Sequence, residues 1–281
     1  MIRRETLSRD VQVILMHVAL LAYTALAIFP VLLVIINSFK ARQAIFRNPY
    51  ALPTAETFSL VGYDTVALRG NFPNYFVNSL IVTLGALILI FLAGSMASFA
   101  LSEYKFRGNA LLGLYLSIGI MIPIRLGTVS LLRMMVDLGL TNNLFGLILV
   151  YTAQGLPLAI FVLSSFLQEV PHDLKDAARV DGASEYRVYW LVLPLVRPAL
   201  ATIMVFNMIP IWNDLWFPLI LAPAEQVKTV TLGAQSFLGQ FLSDWNAILS
   251  SLTLAMVPIV VLYIIFSRQL IRGLTAGSVK L

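Results

Sequence analysis

Asp176-Ala177-Ala178-Arg179-Val180-Asp181-Gly182, followed ten residues later by Leu193-Pro194, is the centre of a stretch running from Val170 to Pro198. That stretch is the longest polar interruption in the carboxy-terminal half of a very apolar chain. Pro171 and Asp173 are favourable residues for opening a helix, and Leu174, Ala177, Ala178 and Val180 give it a partly apolar face. Gly182 stops it, because glycine takes the left-handed helix-ending conformation without a Cβ penalty. The chain is predicted to restart at Ser184 as N-cap, with Glu185 at the positive end of the dipole, and to end a second short helix at Pro194. Two short helices meeting at a glycine, with small alanines on the first, make a shape that can lie in a groove on another protein.

What surrounds this stretch decides the fold class. The chain has 281 residues, 59% hydrophobic and only 12% charged, with a mean hydropathy of +0.87. A water-soluble domain is not built with so little charge, so the sequence reads as an all-α polytopic membrane protein. Cysteine is absent, which removes disulfides and thiolate metal sites. The net charge of +5 is to be read by its distribution among loops, where Lys and Arg report orientation, and nucleic acid is a poor explanation of it.

Six spans are predicted, at about 11–39, 74–102, 109–135, 144–167, 199–221 and 245–267. The first carries no charge from Val11 to Phe39, too long a run for a signal-peptide core, so it is retained. The third has Pro123 near its apolar end with Arg125 just beyond, and the fourth is interrupted by Gly155 and Pro157. A short basic turn, 103–108, separates spans two and three, and the polar loop 168–198 separates four and five. Residues 1–10 and 271–281 are the polar ends. An even number of spans leaves both ends on one side. Loops on that side hold twelve of the nineteen Lys and Arg residues, and the opposite side, with its longer loops, accounts for the remaining seven. The positive-inside rule therefore puts both termini and the Asp176 loop in the cytoplasm.

The pattern acid-Ala-Ala, three residues, Gly, nine residues, aliphatic-x-Pro resembles the EAA motif of ABC importer permeases. It is matched at Asp176, Ala177, Ala178, Gly182, Val192 and Pro194, with Asp176 where the family usually has Glu and Val192 where it usually has Ile. Further matches are Asn78-Ser79 opening span two, Leu138 to Asn142 before span four, Trp212-Asn213-Asp214 in span five and the ending Gly273 to Lys280. Over nearly its whole length the chain is similar to the MalG-type permease of carbohydrate ABC importers. The resemblance implies six helices of the type I importer fold in a bacterial inner membrane. It also implies a second permease subunit, two copies of an ABC ATPase docked on the coupling loop, and an extracytoplasmic solute-binding protein. The tail from Gly273 would reach into the ATPase dimer, and Gly239-Gln240 would form the tip of a loop, 222–244, that approaches the binding protein's sugar.

No Gly-Lys dipeptide occurs, so the chain has no P-loop and is not itself the ATPase; ATP and Mg would be used by partner subunits, with no cofactor bound here. His17 and His172 lie far apart and are assigned no role.

Ionisable groups at membrane depth are the sharper signal, being costly unless they face a cavity or a partner. Arg125 and Asp214 each lie roughly 25 Å from the cytoplasmic end of their span, so they are equal in depth and opposite in sign. Asn207 and Asp214, seven apart, share a helical face, and Pro210 between them would free backbone carbonyls on a wet side. Together with Asn213 they mark a candidate substrate path or gate. Trp212 and Trp216, an i, i+4 pair, would offer flat faces to a sugar ring or anchor the helix at the interface. Arg125 departs from the family pattern. It either closes an outer gate with Asp214, which their equal depth favours, or offers a bidentate cation to an acidic sugar. An ion-coupled secondary transporter is the second functional reading; it would need further intramembrane charges and an inverted repeat, neither of which is visible.

Overall fold

The computed structural model describes residues 2–69, 71–238 and 243–276. In chain order the helices are α1 (Ile2–Ser38), α2 (Arg42–Arg47), α3 (Val61–Arg69), α4 (Phe72–Glu103), α5 (Asn109–Met121), α6 (Thr128–Asp137), α7 (Leu144–Gln168), α8 (His172–Val180), α9 (Glu185–Val192), α10 (Arg197–Asn213), α11 (Trp216–Leu221), α12 (Val230–Gln235) and α13 (Trp245–Ala276). Among the described residues the extended pairing is a lone bridge between Lys40 and Phe58, so the fold is all-α. Among the described residues five helical stretches are long and apolar enough to cross a membrane, and α5 with α6 makes a sixth if counted as one bent span.

The departures from straight spans have local causes. The third span is not one helix over 109–135: it bends by 86° between α5 and the segment starting at Ile124. Ile122 precedes a proline, is pushed into the extended region (φ −80°, ψ 119°), and ends α5; a 3-10 turn over Ile124–Gly127 then leads into α6. The expected interruption of the fourth span at Gly155 and Pro157 does not occur, since α7 runs unbroken through both. Helix α9 ends at Val192, just before Pro194, as expected, but the chain does not leave the helical region there. Pro194 sits in the 3-10 turn Leu193–Val196 joining α9 to α10, where the start of a helical segment tolerates a residue without an N–H. The fifth span, expected over 199–221, breaks instead after Asn213: Asp214 is extended (φ −71°, ψ 134°) and α11 begins at Trp216. The sixth runs on to Ala276, so the start of the polar tail is helical.

The chain divides into two compact units. In residues 1–72 and 234–254, the buried Lys40 ammonium donates to Asn37 Oδ1 (3.0 Å) and to the carbonyls of Asn48 (3.1 Å) and Pro49 (3.2 Å). Three acceptors match its three N–H groups, which is what makes a buried cation tolerable without a carboxylate. Burial alone lowers its pKa. Asn246 donates to the Lys40 carbonyl (2.6 Å), and a Cβ on Gly62 would fall 2.4 Å from the Asn246 carbonyl oxygen, so α3 and the start of α13 meet at a glycine.

In residues 73–233 and 255–281, the core lies among α4, α7, α9 and α10. Ile90, Leu147, Leu163, Val188, Val192 and Ala199 are almost fully buried there. Apolar side chains gain little from meeting one another in lipid, so close approach at small residues supplies the packing. Gly94 lies against Ala159, and a Cβ on Gly155 would come within 2.4 Å of Asn207 Oδ1 and 2.5 Å of Ile90 Cδ1. Gly155→Val should therefore force α7 away from α4 and α10, costing about 1–3 kcal/mol or more. Thermal melting of the detergent-purified chain should show a lower midpoint than Ala159→Gly, which removes a methyl rather than adding bulk.

Candidate functional site

The Asp176 stretch folds as a helix pair with a Schellman stop. The Gly182 N–H donates to the Arg179 carbonyl (3.0 Å) and the Ala183 N–H to the Ala178 carbonyl (2.9 Å), with Gly182 at φ +79°. Ala178 and Ala183, the two residues this motif brings together, both pack on the core. Asp176 and Ala177 stay exposed, as do Gly182 and Pro194. Ser184 has N-cap backbone geometry but makes no side-chain cap. Glu185 does not serve only the helix dipole, because it is bound by Arg179.

What holds the pair in place was not visible in the sequence, where 103–108 reads only as a basic turn. Glu103, at the end of α4, accepts Lys175 Nζ on Oε2 (2.6 Å) and Arg179 Nη2 on Oε1 (2.7 Å). Arg179 also donates to Asp176 (2.9 Å) and Glu185 (2.9 and 3.2 Å), and the Tyr104 hydroxyl donates to Glu185 (2.6 Å). The Lys175 and Glu103 side chains are 2% and 4% exposed. Its hydrogen bonds to the Glu185 and Glu103 carboxylates hold the Arg179 guanidinium charged well above its ordinary range. Burial first, then the Glu185 contact, pushes the Tyr104 phenol up to about 12. Deeper in the same region Tyr189 shares a hydrogen bond with Ser95 (2.7 Å), joining α9 to α4.

The break in the third span borders a cavity of about 630 Å³ lined by the 122–125 turn, α7 and α10. Arg125, Gln154 and Asn207 are its polar walls, with Tyr151, Phe206 and Pro210 beside them. An adjoining space of about 400 Å³ is bounded by Arg125, Pro210, Asn213, Asp214 and Trp216. Arg125 and Asp214 are brought together, Nη2 to Oδ1 at 3.4 Å. Asp214 leaves the helix and caps α11 by accepting the Trp216 and Phe217 N–H groups (3.2 and 3.1 Å), and it also accepts the Tyr151 hydroxyl (2.9 Å). Asn207 is buried and donates to the Ile203 carbonyl. Trp212 faces away: it is buried, donates to the Ala255 carbonyl (2.9 Å) and meets Phe76 edge-on. The helix break between the two tryptophans means that they do not form an i, i+4 pair.

Residues 90–276 match the family described as the inner membrane component of binding-protein-dependent transport systems. This chain belongs to that family. The permease is 32% identical over 267 residues to a diacetylchitobiose uptake system permease protein of Streptomyces coelicolor, covering 94% of this chain and 88% of that one. It is 30% identical over 280 residues to a melibiose/raffinose/stachyose import permease protein of Bacillus subtilis, covering 99% of each. Its fold is that of a bacterial ABC transporter involved in import of the acidic polysaccharide alginate, with a TM-score of 0.79, 20% identity, and coverage of 93% of this chain and 97% of that one.

The paired residues Asn78-Ser79 act as a clamp in this permease. Asn78 donates to the carbonyls of Gln226 (2.9 Å) and Lys228 (3.0 Å), and Ser79 accepts the Val230 N–H (2.8 Å), so the segment leading to α12 is fixed to the start of α4. Tyr75 adds a bond to Glu225, whose pKa is lowered mainly by Lys228 and then by Tyr75. Gly239 and Gln240 lie outside the described residues, as does the tail from Gly277.

Glu103 has two cations and Lys175 has one carboxylate, so the pair should respond unequally to mutation. Glu103→Gln leaves the buried Lys175 ammonium uncompensated, at a cost of about 3–5 kcal/mol, while Lys175→Met leaves Glu103 still bound to Arg179. Thermal melting of the purified permease should rank Glu103→Gln as the more damaging change, and adding Lys175→Met to it should recover much of the loss.

Proposed function

We propose that this chain is one of two membrane subunits of an ABC importer that carries a carbohydrate delivered by an extracytoplasmic binding protein. A second permease subunit, two ATPase subunits and the bilayer are its partners. The observation that carries this reading is the Gly182-terminated helix pair with Asp176 and Ala177 exposed, held by buried ion pairs to the end of a long apolar helix. An exposed surface rigidly joined to a span can transmit a push from a docked ATPase into the membrane region. The named sugars of the curated relatives support a carbohydrate cargo. The loop charges support cytoplasmic termini and coupling loop. In this arrangement the chain transmits and does not catalyse: ATP and Mg are bound by the partner subunits, and no cofactor is assigned here.

A tag on this chain should bring the ATPase down with it, and the reconstituted complex with its binding protein should take up sugar only with ATP. A pull-down without an ATPase would remove the reading. Within the complex, Gly182→Val should insert normally yet lower uptake by about tenfold or more through lost ATPase docking or coupling, because a β-branched residue does not sit at φ +79° without strain. Gly182→Asn should keep most activity, since asparagine tolerates that region. Equal activity of both variants would make the turn irrelevant to coupling.

A further inference from the structure

Among the described residues that line the cavity, Arg125 is the cation, and its hydrogen-bonding capacity is mostly unspent. A carboxylate offers about four lone-pair positions, and those of Asp214 are taken: Oδ1 by the Trp216 N–H and Arg125, Oδ2 by the Tyr151 hydroxyl and the Phe217 N–H. Its side chain is 8% exposed. Asp214 therefore cannot accept a ligand hydroxyl without giving up a partner, and three of its four donors are neutral groups that hold it whether or not Arg125 is present.

Arg125 is the reverse. Its side chain is 67% exposed, its contact with Asp214 is single and long at 3.4 Å, and the guanidinium carbon lies 6.0 Å from the centre of the Trp216 ring. A closed gate between these residues would show a short, two-pronged and desolvated pair. The observed contact tethers the arginine and leaves most of its five N–H donors facing the space. Trp216 is positioned beside it by donating its indole N–H to Thr128 (3.1 Å), and the Thr128 hydroxyl in turn donates to the Arg125 carbonyl (2.5 Å).

We propose that Arg125 is the acid-group acceptor of this cavity, and that the imported carbohydrate carries a carboxylate or sulfonate which the guanidinium fork binds while a C–H face of the sugar ring lies on Trp216. This deepens the importer reading and rests on it. Carboxylate and sulfonate groups both present two oxygens to the fork in two-pronged geometry, and a cation in a low-dielectric wall gains most from a ligand of opposite charge. Gln154, exposed in the same cavity, is placed to meet ring hydroxyls with an amide that both donates and accepts. The cavity of about 630 Å³ and the adjoining space of about 400 Å³ that Trp216 bounds share Arg125 and Pro210, and together they suit a ligand of sugar size.

The test uses the purified complex in nanodiscs of phosphatidylcholine, without binding protein, titrated with glucuronate, glucose 6-sulfonate, glucose and acetate while tryptophan fluorescence is followed. At least one acidic sugar should give a saturable change, absent in Trp216→Phe, with half-saturation about tenfold higher in Arg125→Gln and intermediate in Arg125→Lys. Glucose and acetate should give none at the same concentrations. The proposal is overturned by no response to either acidic sugar, by an equal response to glucose, by an equal response to acetate, which would make Arg125 a bare anion site, or by an Arg125→Gln variant that binds as the parent does. Co-purification of the ATPase is scored on the same preparation. Its absence counts against the importer reading, whereas a present ATPase with no acidic-sugar response counts against this inference alone.

Discussion

The carboxylate of Glu103 is the point on which the α8–α9 end of this permease depends. It ends a 32-residue apolar helix and is shared by Lys175 and Arg179, both from α8. A buried carboxylate with two cations, one of them buried as well, has few alternative arrangements of similar energy, because any displacement strands a charge away from water. Arg179 extends the constraint to α9 through Glu185, and Tyr104 returns it to the chain just after α4. Helices α8 and α9 are thereby a continuation of α4 and not a free loop.

That rigidity continues inward through small residues. Ser95 meets Tyr189, Gly94 meets Ala159, and Gly155 admits both Ile90 and Asn207 at distances that no larger residue would allow. Where dispersion and short polar contacts replace the hydrophobic effect, close backbone approach is the available source of stability. The residue that packs against Gly155 also lines the cavity, so core packing and cavity shape share a side chain, Asn207.

The cavity and the space adjoining it lie where two apolar segments fail to remain straight. Ile122 is extended by the proline after it, and Asp214 turns its carboxylate to cap the next short helix. Irregular backbone at membrane depth is tolerated where it lines a cavity and where its polar groups find partners, and Asp214 supplies two of those partners itself. Pro210, which cannot donate to the Phe206 carbonyl, stands with Phe206 in the same wall.

Much of this was legible in the residues. Apolar runs of membrane-spanning length, the glycine that ends α8, the proline at the third span and the equal depths of Arg125 and Asp214 are local properties, set by run length, backbone freedom and rise per residue. The sequence also gave rise to expectations that the structure overruled. Pro157 does not interrupt α7, and Pro194, placed in a 3-10 turn, lets α9 pass directly into α10. Trp212 turns to the Ala255 carbonyl and not to the cavity, because the helix ends one residue after it and its indole N–H finds an acceptor on α13. Glu103, Lys175 and Arg179 are more than seventy positions apart across the pairing, and nothing in periodicity or composition tells a carboxylate which distant ammonium will share its burial. Local conformation is written in short stretches of this chain; which charges meet, and which of them stay unsatisfied, is decided only when α4, α7 and α10 close on one another.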